Sequence, residues 1–116
     1  MTDEAKIGAG DVEITIEGKS RVLRPSLKAC QRISRQSGGI LDAIRRVGQY
    51  DFDEMVYVIG AGLDTDPDDM DALAESVWRS GLKEIAMPTI KFLTIIANGG
   101  RPADGDKEKD PPKASV

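Results

Sequence analysis

The stretch Asp51–Leu63, with the sequence DFDEMVYVIGAGL, decides the fold of this chain. Its large apolar residues fall at i, i+3, i+4, i+7 and i+11, the spacing that places side chains on one side of an α-helix: Phe52, Met55, Val56, Ile59 and Leu63. The back of this helix, from Tyr57 to Ala61, carries no charge either. Asp51 is expected to be the N-cap, and Glu54 completes a capping-box pattern. A helix with so little polar surface belongs at the centre of a small domain, covered on more than one side.

The composition limits the classes of protein to which the chain can belong. At 116 residues and a net charge of −4, it has the length of one domain plus a tail. It contains no histidine, the commonest metal ligand and usual general base, and its only cysteine, Cys30, fits a reducing compartment. The acidic start Met1–Lys6 lacks the pattern of a signal peptide, and no apolar run approaches the roughly 20 residues of a membrane span. We therefore expect a soluble cytosolic protein.

The first predicted element is a β-hairpin. Residues 11–17 alternate between apolar and polar side chains with the period of a strand, the apolar ones being Val12, Ile14 and Ile16. A glycine-containing turn is predicted at 17–19 and the returning strand at 21–24. Because two strands alone are marginally stable, the face bearing these apolar residues and Val22 must pack against helices.

Two helices are predicted between the hairpin and the central helix. Ser26 caps the first, which runs to about Ser37 and ends at the following glycine pair, with these residues inward: Leu27, Cys30, Ile33 and Ser34. The second spans residues 40–47 and is closed by Gly48, with these residues inward: Ile40, Ile44 and Val47.

Two further helices are predicted after the central one. Asp66-Pro67 has the pattern of a cap followed by proline at the first helical position, and Gly81 ends that helix, with these residues inward: Met70, Leu73, Ala74 and Val77. The last helix, 82–97, contains Pro88, which predicts a kink or a restart. Its end is predicted at 98–100, where the sequence is Asn-Gly-Gly.

These elements predict an α+β fold, in which an N-terminal β-hairpin packs on a bundle of four to five short α-helices. The single domain is expected to span residues 10–100, after a flexible N-terminus at 1–9. The tail at 101–116 contains three prolines and many charges, so we expect it to be disordered.

Charge is divided unevenly along the chain. Residues 19–50 hold eight cations against the single anion Asp42: Lys19, Arg21, Arg24, Lys28, Arg32, Arg35, Arg45 and Arg46. Residues 51–78 hold nine anions and no cation: Asp51, Asp53, Glu54, Asp64, Asp66, Asp68, Asp69, Asp71 and Glu75. This division predicts an electrical dipole that steers association with a partner or a second copy. The alternatives are solvated helix faces that happen to segregate, or nucleic-acid binding, against which overall acidity and the shortage of aromatic residues both argue.

Residues that carry chemistry elsewhere have simpler explanations in this chain. The spacing of four acidic residues matches a calcium loop in part, but its turn position is Asp69 instead of glycine: Asp64, Asp66, Asp68 and Glu75. Their placement beside a helix N-terminus is a sufficient reason for carboxylates. The carboxylates at 51, 53 and 54 are interpreted as caps, and Cys30, on the apolar side of its helix, as structural. Gly60 and Gly62 indicate close approach of a neighbouring helix or fraying.

Trp78 is the only tryptophan of the chain and stands beside Val77 near a helix end. Core packing is the default interpretation of such a residue, and an interface anchor is the alternative.

The order of these elements resembles a known family. A hairpin running into a glycine-stopped helix, GAGDVEITIEGKSRVLRPSLKACQRISRQSGG, is followed by FDEMVYVIGAGL, an acidic capped helix, WRSGL and a final helix. This pattern resembles the small proteins encoded in the tail modules of gene transfer agents and related prophages. The resemblance covers residues 10–99 and rests on hydrophobic and glycine positions without an invariant chemical motif.

The resemblance implies a non-enzymatic tail assembly chaperone without a metal or cofactor. Such a protein holds the tape measure protein in the cytoplasm of the bacterial host while tail-tube subunits polymerise, and is absent from the mature particle. The tail tube protein and a second copy are further candidate partners, whereas nucleic acid and membrane are not expected. We assign partner binding to Arg32, Arg35, Arg45, Arg46 and Trp78. The alternatives are a structural tail component, either tube-like or minor, and a small nucleic-acid-binding regulator.

Overall fold

A β-hairpin and five α-helices follow one another along residues 8–102, the part of the chain that this computed structural model describes. Their bounds are β1 Val12–Ile16, β2 Lys19–Leu23, α1 Leu27–Ser37, α2 Ile40–Gly48, α3 Phe52–Leu63, α4 Met70–Ser80 and α5 Leu82–Ala97, with a short 3₁₀ turn at Pro67–Asp69. The predicted α+β class is therefore confirmed. The expectations for 1–7 and for 103–116 lie outside the described residues.

The hairpin has its apolar face inward, but its register differs from the prediction. Glu17 and Gly18 form a two-residue turn, both with positive φ (52° and 79°), so that β2 already begins at Lys19. Leu23 therefore lies opposite Val12 and is fully buried. Val22 lies opposite Glu13, on the outer face, so its predicted inward position is wrong. A shift of one residue moves every side chain of a strand to the other face.

Helix α3 occupies the centre of the domain, as its sequence predicts. It packs against α1, α2, α4, α5 and β2, and eight of its residues are buried: Glu54, Met55, Val56, Val58, Ile59, Gly60, Ala61 and Gly62. Asp51 caps it, because its Oδ1 accepts a hydrogen bond from the Glu54 amide at 3.1 Å. The reciprocal half of the capping box is wrong, since the Glu54 side chain instead accepts a hydrogen bond from Ser37.

Two glycines allow neighbouring elements to approach α3 closely. A Cβ at Gly60 would lie 2.8 Å from the side-chain end of Met70, and one at Gly62 would lie 3.0 Å from both Leu23 and Phe92. The Gly62 carbonyl also accepts a hydrogen bond from the Arg24 amide at 3.0 Å, which ties β2 to the helix. Close approach is therefore confirmed, and fraying is not observed because α3 continues to Leu63.

Helix α1 has the predicted ends but a different inward face. The Ser26 hydroxyl accepts a hydrogen bond from the Ala29 amide at 3.0 Å, and Gly38 ends the helix with φ 82°. The buried residues are Ala29, Ile33 and Ser37. Leu27 is 74% exposed, so its predicted inward position is wrong. The three buried residues are spaced four apart and share the side of the helix that faces the core. Leu27 lies two residues before the first of them, and its side chain therefore points away from that side.

The end of α2 differs from the prediction. Gly48 still belongs to the helix, and the chain turns at Tyr50, which has φ 63°. The Asp51 amide donates to the Arg46 carbonyl at 2.9 Å and the Tyr50 amide to the Val47 carbonyl at 2.9 Å. These two bonds define a Schellman motif, in which the left-handed position is normally glycine.

Tyr50→Gly is expected to raise the free energy of unfolding by about 1 kcal/mol, because a left-handed conformation costs a non-glycine residue roughly 1–2 kcal/mol. Tyr50 is 47% exposed and does not belong to the hydrophobic core, so its removal leaves no core cavity. Urea unfolding followed by circular dichroism measures the change. Gln49→Gly is the matched control, since Gln49 has φ −98° and gains nothing from glycine. Equal effects of the two substitutions would contradict the prediction.

The last two helices are separated by Gly81 alone. The Asp66 side chain makes no capping hydrogen bond, and the chain passes through the 3₁₀ turn before α4 begins at Met70.

Helix α5 runs unbroken through Pro88, so the predicted restart is wrong. Pro88 has no amide hydrogen to donate to the carbonyl of Glu84, four residues earlier. Because Glu84 is exposed, water can donate a hydrogen bond to that carbonyl instead. The helix ends at 98–100 as predicted, with Gly99 and Gly100 at positive φ.

Candidate partner-binding surface

The four arginines assigned to partner binding do not form one patch. Arg32 lies 3.7 Å from the Asp64 carboxylate at the C-terminal end of α3, whereas Arg46 lies 3.7 Å from Glu54 in the first turn of α3. Ten residues of helix separate these two partners, which is about 15 Å along the axis. The arginines from α1 and α2 are therefore distributed along α3.

Three of the four arginines are also engaged within the chain. The Arg32 guanidinium lies 5.9 Å from the centroid of the Tyr57 ring, in addition to its contact with Asp64. Arg45 lies 3.3 Å from Asp42 on the same helix. Within residues 8–102, Arg35 is the one member of the set without an ion pair. The basic segment is thus partly neutralised by the acidic segment that follows it.

Glu54 is a buried carboxylate that joins three helices. It is 6% exposed, accepts a hydrogen bond from the Ser37 hydroxyl at the end of α1, and faces Arg46 near the end of α2. The burial of Glu54 can be inferred from the sequence, because Glu54 lies on the same side of α3 as Val58 and Ala61, four and seven residues later. An acidic residue on the buried side of a central helix needs partners, and these are Ser37 and Arg46.

Asp64 forms the second ionic cluster, on the surface. It ends α3 in the left-handed conformation with φ 56°, and the Lys28 ammonium lies 3.0 Å from its carboxylate. The hydrogen bond from Lys28 and its charge, together with the charge of Arg32, lower the pKa of Asp64 below the ordinary value. This contribution to folding is present above the ordinary pKa of an aspartate and is lost as the pH falls through the lower pKa of the folded protein.

Lys28→Met is expected to raise the titration midpoint of Asp64 toward that of an ordinary aspartate, because the largest cause of the lowered pKa is removed. A two-dimensional NMR titration of side-chain carboxyl resonances measures the midpoint. Arg35→Met removes a cation from the same helix without touching Asp64 and should leave the midpoint unchanged. A midpoint that stays in place in Lys28→Met would contradict the assignment.

The acidic segment after α3 presents free carboxylates. Asp64 is turned toward Lys28, and Glu75 toward Arg79 on α4. Asp66, Asp68, Asp69 and Asp71 are exposed and make no ion pair within residues 8–102. In that same range, no group of three or more histidine, cysteine or acidic side chains is placed to hold a metal ion.

Trp78 lies on the outer face of α4, where core packing, the default interpretation, is wrong. Its neighbour Val77 is fully buried, whereas Trp78 is 65% exposed. Asp71 and Glu75 are also exposed and precede Trp78 by seven and three residues, so the three share one face of the helix. Arg79 beside them binds Glu75 and reaches Glu17 in the hairpin turn at 3.6 Å. We call the face formed by Asp71, Glu75 and Trp78 the outer face of α4.

Cys30 borders a small apolar cavity between the start of α1 and the end of α5. The cavity holds about 230 Å³ and is lined mainly by Pro25, Leu27, Cys30 and Ile96. Cys30 is half-buried and packs against the core, in keeping with the structural role predicted for it.

Comparisons with known proteins add no family to this description. Neither the protein-family models, nor the curated proteins, nor the solved structures contain a match to this chain. Within residues 8–102, none of the helices is both long enough and apolar enough to traverse a bilayer.

Proposed function

We propose that this protein is a tail assembly chaperone of a phage or gene transfer agent, which binds the tape measure protein in the bacterial cytoplasm during tail morphogenesis and leaves before the particle is complete. The proposal rests on the resemblance over residues 10–99. The observation that supports it best is the exposure of Trp78 on the outer face of α4. The activity is binding alone, without chemistry.

An exposed tryptophan favours a protein-binding function because its burial against a partner is strongly favourable. Tryptophan is enriched among the few residues that contribute most of the energy of an interface. Leu41 on α2 and Met87 on α5 are also more than 70% exposed. A chaperone for a helical client needs apolar side chains at its surface, into which the apolar stripe of the client can pack.

The charges on α4 suggest which client residues lie beside the apolar contact. Asp71 and Glu75 precede Trp78 on the same face, and only Glu75 is paired within the described residues. A client helix with a lysine or arginine one or two turns from a large apolar residue would complement this face. The arginines of α1 and α2 contribute less, because three of them are already paired.

The proposal is tested by purifying the protein alone and together with the fragment of tape measure protein encoded beside it. Size exclusion with light scattering should show a soluble complex of defined stoichiometry, whereas the fragment alone precipitates. Assembled particles are then probed for the protein by mass spectrometry. Absence of a complex, together with retention in particles, would instead identify a structural tail component.

Trp78→Ala is expected to weaken the complex with the tape measure fragment at least about tenfold, because truncation removes the largest exposed apolar side chain of the surface. The free energy of unfolding should change little, since Trp78 is exposed. Met87→Ala removes an equally exposed apolar side chain from α5 and serves as the matched control. Isothermal titration calorimetry of both variants measures the affinities. A larger loss for Met87→Ala would move the binding surface to α5.

A further inference from the structure

Two helices carry rows of exposed residues with the same spacing. The outer face of α4 has its three residues at i, i+4 and i+7. Helix α2 repeats this spacing with Leu41, Arg45 and Gly48, all exposed, and we call this row the outer face of α2. Each row extends about 10 Å along its helix, since an α-helix rises about 1.5 Å per residue. The two faces therefore match in length.

The two faces also match in charge and in apolar character. The outer face of α4 is acidic and ends at Trp78, which is 65% exposed, whereas the outer face of α2 begins at Leu41, which is 77% exposed, and continues to a cation. Placed antiparallel, the two faces bring the Trp78 ring onto Leu41. The Glu75 carboxylate then lies opposite the Arg45 guanidinium. A parallel arrangement would instead set Leu41 against Asp71, so the antiparallel one is favoured.

One copy of the chain cannot bring these two faces together. Helix α2 packs on α1, α3 and α5, and α4 packs on α3, α5 and the strand β1. Since α3 and α5 also pack on each other and lie between the two helices, the outer faces of α2 and α4 point away from each other. A contact between them therefore requires a second copy.

The charged groups at the middle of each face have partners on their own helix, but these pairs are weak. The Arg45 guanidinium lies 3.3 Å from Asp42, and the Glu75 carboxylate binds Arg79. The side chains of Arg45 and Glu75 remain 55% and 56% exposed. Exposed pairs between neighbouring turns of one helix contribute little to stability. Both groups therefore stay available to an oppositely charged surface.

We propose that the outer face of α4 binds the outer face of α2 on a second copy of this chain, antiparallel and head to tail. Different surfaces meet in this contact, so each added copy leaves one face of each kind free and the assembly can grow. Burial of Trp78 against Leu41 anchors the contact, because tryptophan contributes strongly where an interface excludes water. The charges orient the two copies, and their attraction is screened as the salt concentration rises.

The test follows Trp78 directly, because it is the only tryptophan of the chain. Tryptophan fluorescence is recorded from micromolar to millimolar protein, with sedimentation velocity on the same samples. We expect the emission to shift to shorter wavelength as the sedimentation coefficient rises, since Trp78 leaves water. The association constant should fall at least about tenfold between about 0.1 M and 1 M NaCl, where the Debye length shrinks from about 10 Å to about 3 Å.

Two variants, each lacking one face, distinguish a head-to-tail contact from other arrangements. The double substitution Leu41→Ala and Arg45→Ala removes the face on α2, and Asp71→Ala with Trp78→Ala removes the face on α4. We expect either variant alone to sediment as a monomer. An equimolar mixture should form a one-to-one dimer that does not grow, because each variant supplies the face that the other lacks. Met87→Ala, which truncates an exposed apolar side chain on α5, is the matched control and should assemble like the parent.

Four outcomes would overturn the proposal. A parent chain that stays monomeric at millimolar concentration, or an association that is insensitive to salt, would exclude this contact. Continued self-association of the variant lacking the α2 face would indicate that α4 binds another surface. A shift of the Trp78 emission only when the tape measure fragment is added would assign the outer face of α4 to that client alone. Self-association is measured on the protein alone, so a failure to bind the tape measure protein would leave its result unaffected.

Discussion

Glu54→Ala is expected to lower the free energy of unfolding by about 3 kcal/mol, one of the largest effects in this protein for a single polar residue. The substitution leaves the buried Ser37 hydroxyl without its acceptor and Arg46 without its counter-ion. An unsatisfied buried polar group costs about 1–3 kcal/mol, and breaking a buried ion pair about 3–5 kcal/mol. Arg46 is partly exposed, so water recovers some of that loss. Urea unfolding at neutral pH measures the difference.

Two further substitutions separate the parts of this effect. Glu54→Gln keeps the volume and an acceptor for Ser37 but removes the charge that faces Arg46, so a loss of about 1 kcal/mol is expected. Glu84→Ala removes an exposed glutamate from the first turn of α5 and should stay within about 0.5 kcal/mol of the parent. If Glu54→Ala behaved like Glu84→Ala, the buried carboxylate would have no role in joining α1, α2 and α3.

The elements of this fold are predictable because their ends are encoded locally. Ser26 and Asp51 cap helices through hydrogen bonds to amides three residues later, and Gly38 ends α1 in the left-handed conformation that glycine adopts without strain. The central position of α3 follows from its composition, because its charged residues lie in the first turn and the rest of the helix carries none. Each of these inferences needs only residues within one or two helical turns.

The predictions fail where two nearby positions satisfy the same local pattern. Val22 and Leu23 are both apolar, and only the two-residue turn at 17–18 decides which of them faces α3. Helix α2 continues through Gly48, and the bonds from residues 50 and 51 back to α2 place the left-handed conformation at Tyr50 instead of at a glycine. The sequence pattern alone does not decide between such positions. Val22 and Leu23 both fit an apolar position in the strand, and Gly48 fits the usual signal for the end of a helix although the left-handed residue is Tyr50.

The candidate site was predictable only in part, for a related reason. The division of charge is read directly from the sequence, but pairing across α1, α2 and α3 engages Arg32 and Arg46 internally, at opposite ends of α3. For Trp78 the sequence leaves core packing and an interface anchor both open, and its exposure follows from Leu73 and Val77 occupying the inward row of α4. Partner identity is not encoded in either feature and comes from the resemblance.

Gly62→Ala is expected to lower the free energy of unfolding by about 2 kcal/mol, although alanine is intrinsically about 1 kcal/mol better in a helix. The added Cβ would lie 3.0 Å from Leu23 and Phe92 side-chain atoms and 3.1 Å from the Leu23 Cβ. Both residues are fully buried, and a Cβ cannot move without its backbone. Overpacking of a close-packed core costs typically 1–3 kcal/mol. The hydrogen bond from the Arg24 amide to the Gly62 carbonyl further restricts any outward shift of β2.

Gly60→Ala provides the matched control, two residues earlier in the same helix. There the nearest atoms, at 2.8 Å, are the sulfur and terminal methyl of Met70, the far end of a flexible side chain in a half-buried position. Met70 can rotate away at small cost, so the gain in helix propensity should leave the free energy of unfolding unchanged or raised by up to about 1 kcal/mol. Thermal and urea unfolding of the two variants measure the difference between their free energies of unfolding. If Gly62→Ala were as stable as Gly60→Ala, β2 and α5 would be able to move away from α3 and make room for the added Cβ. The close packing of Leu23 and Phe92 against Gly62 would then not restrict which residue can stand at this position.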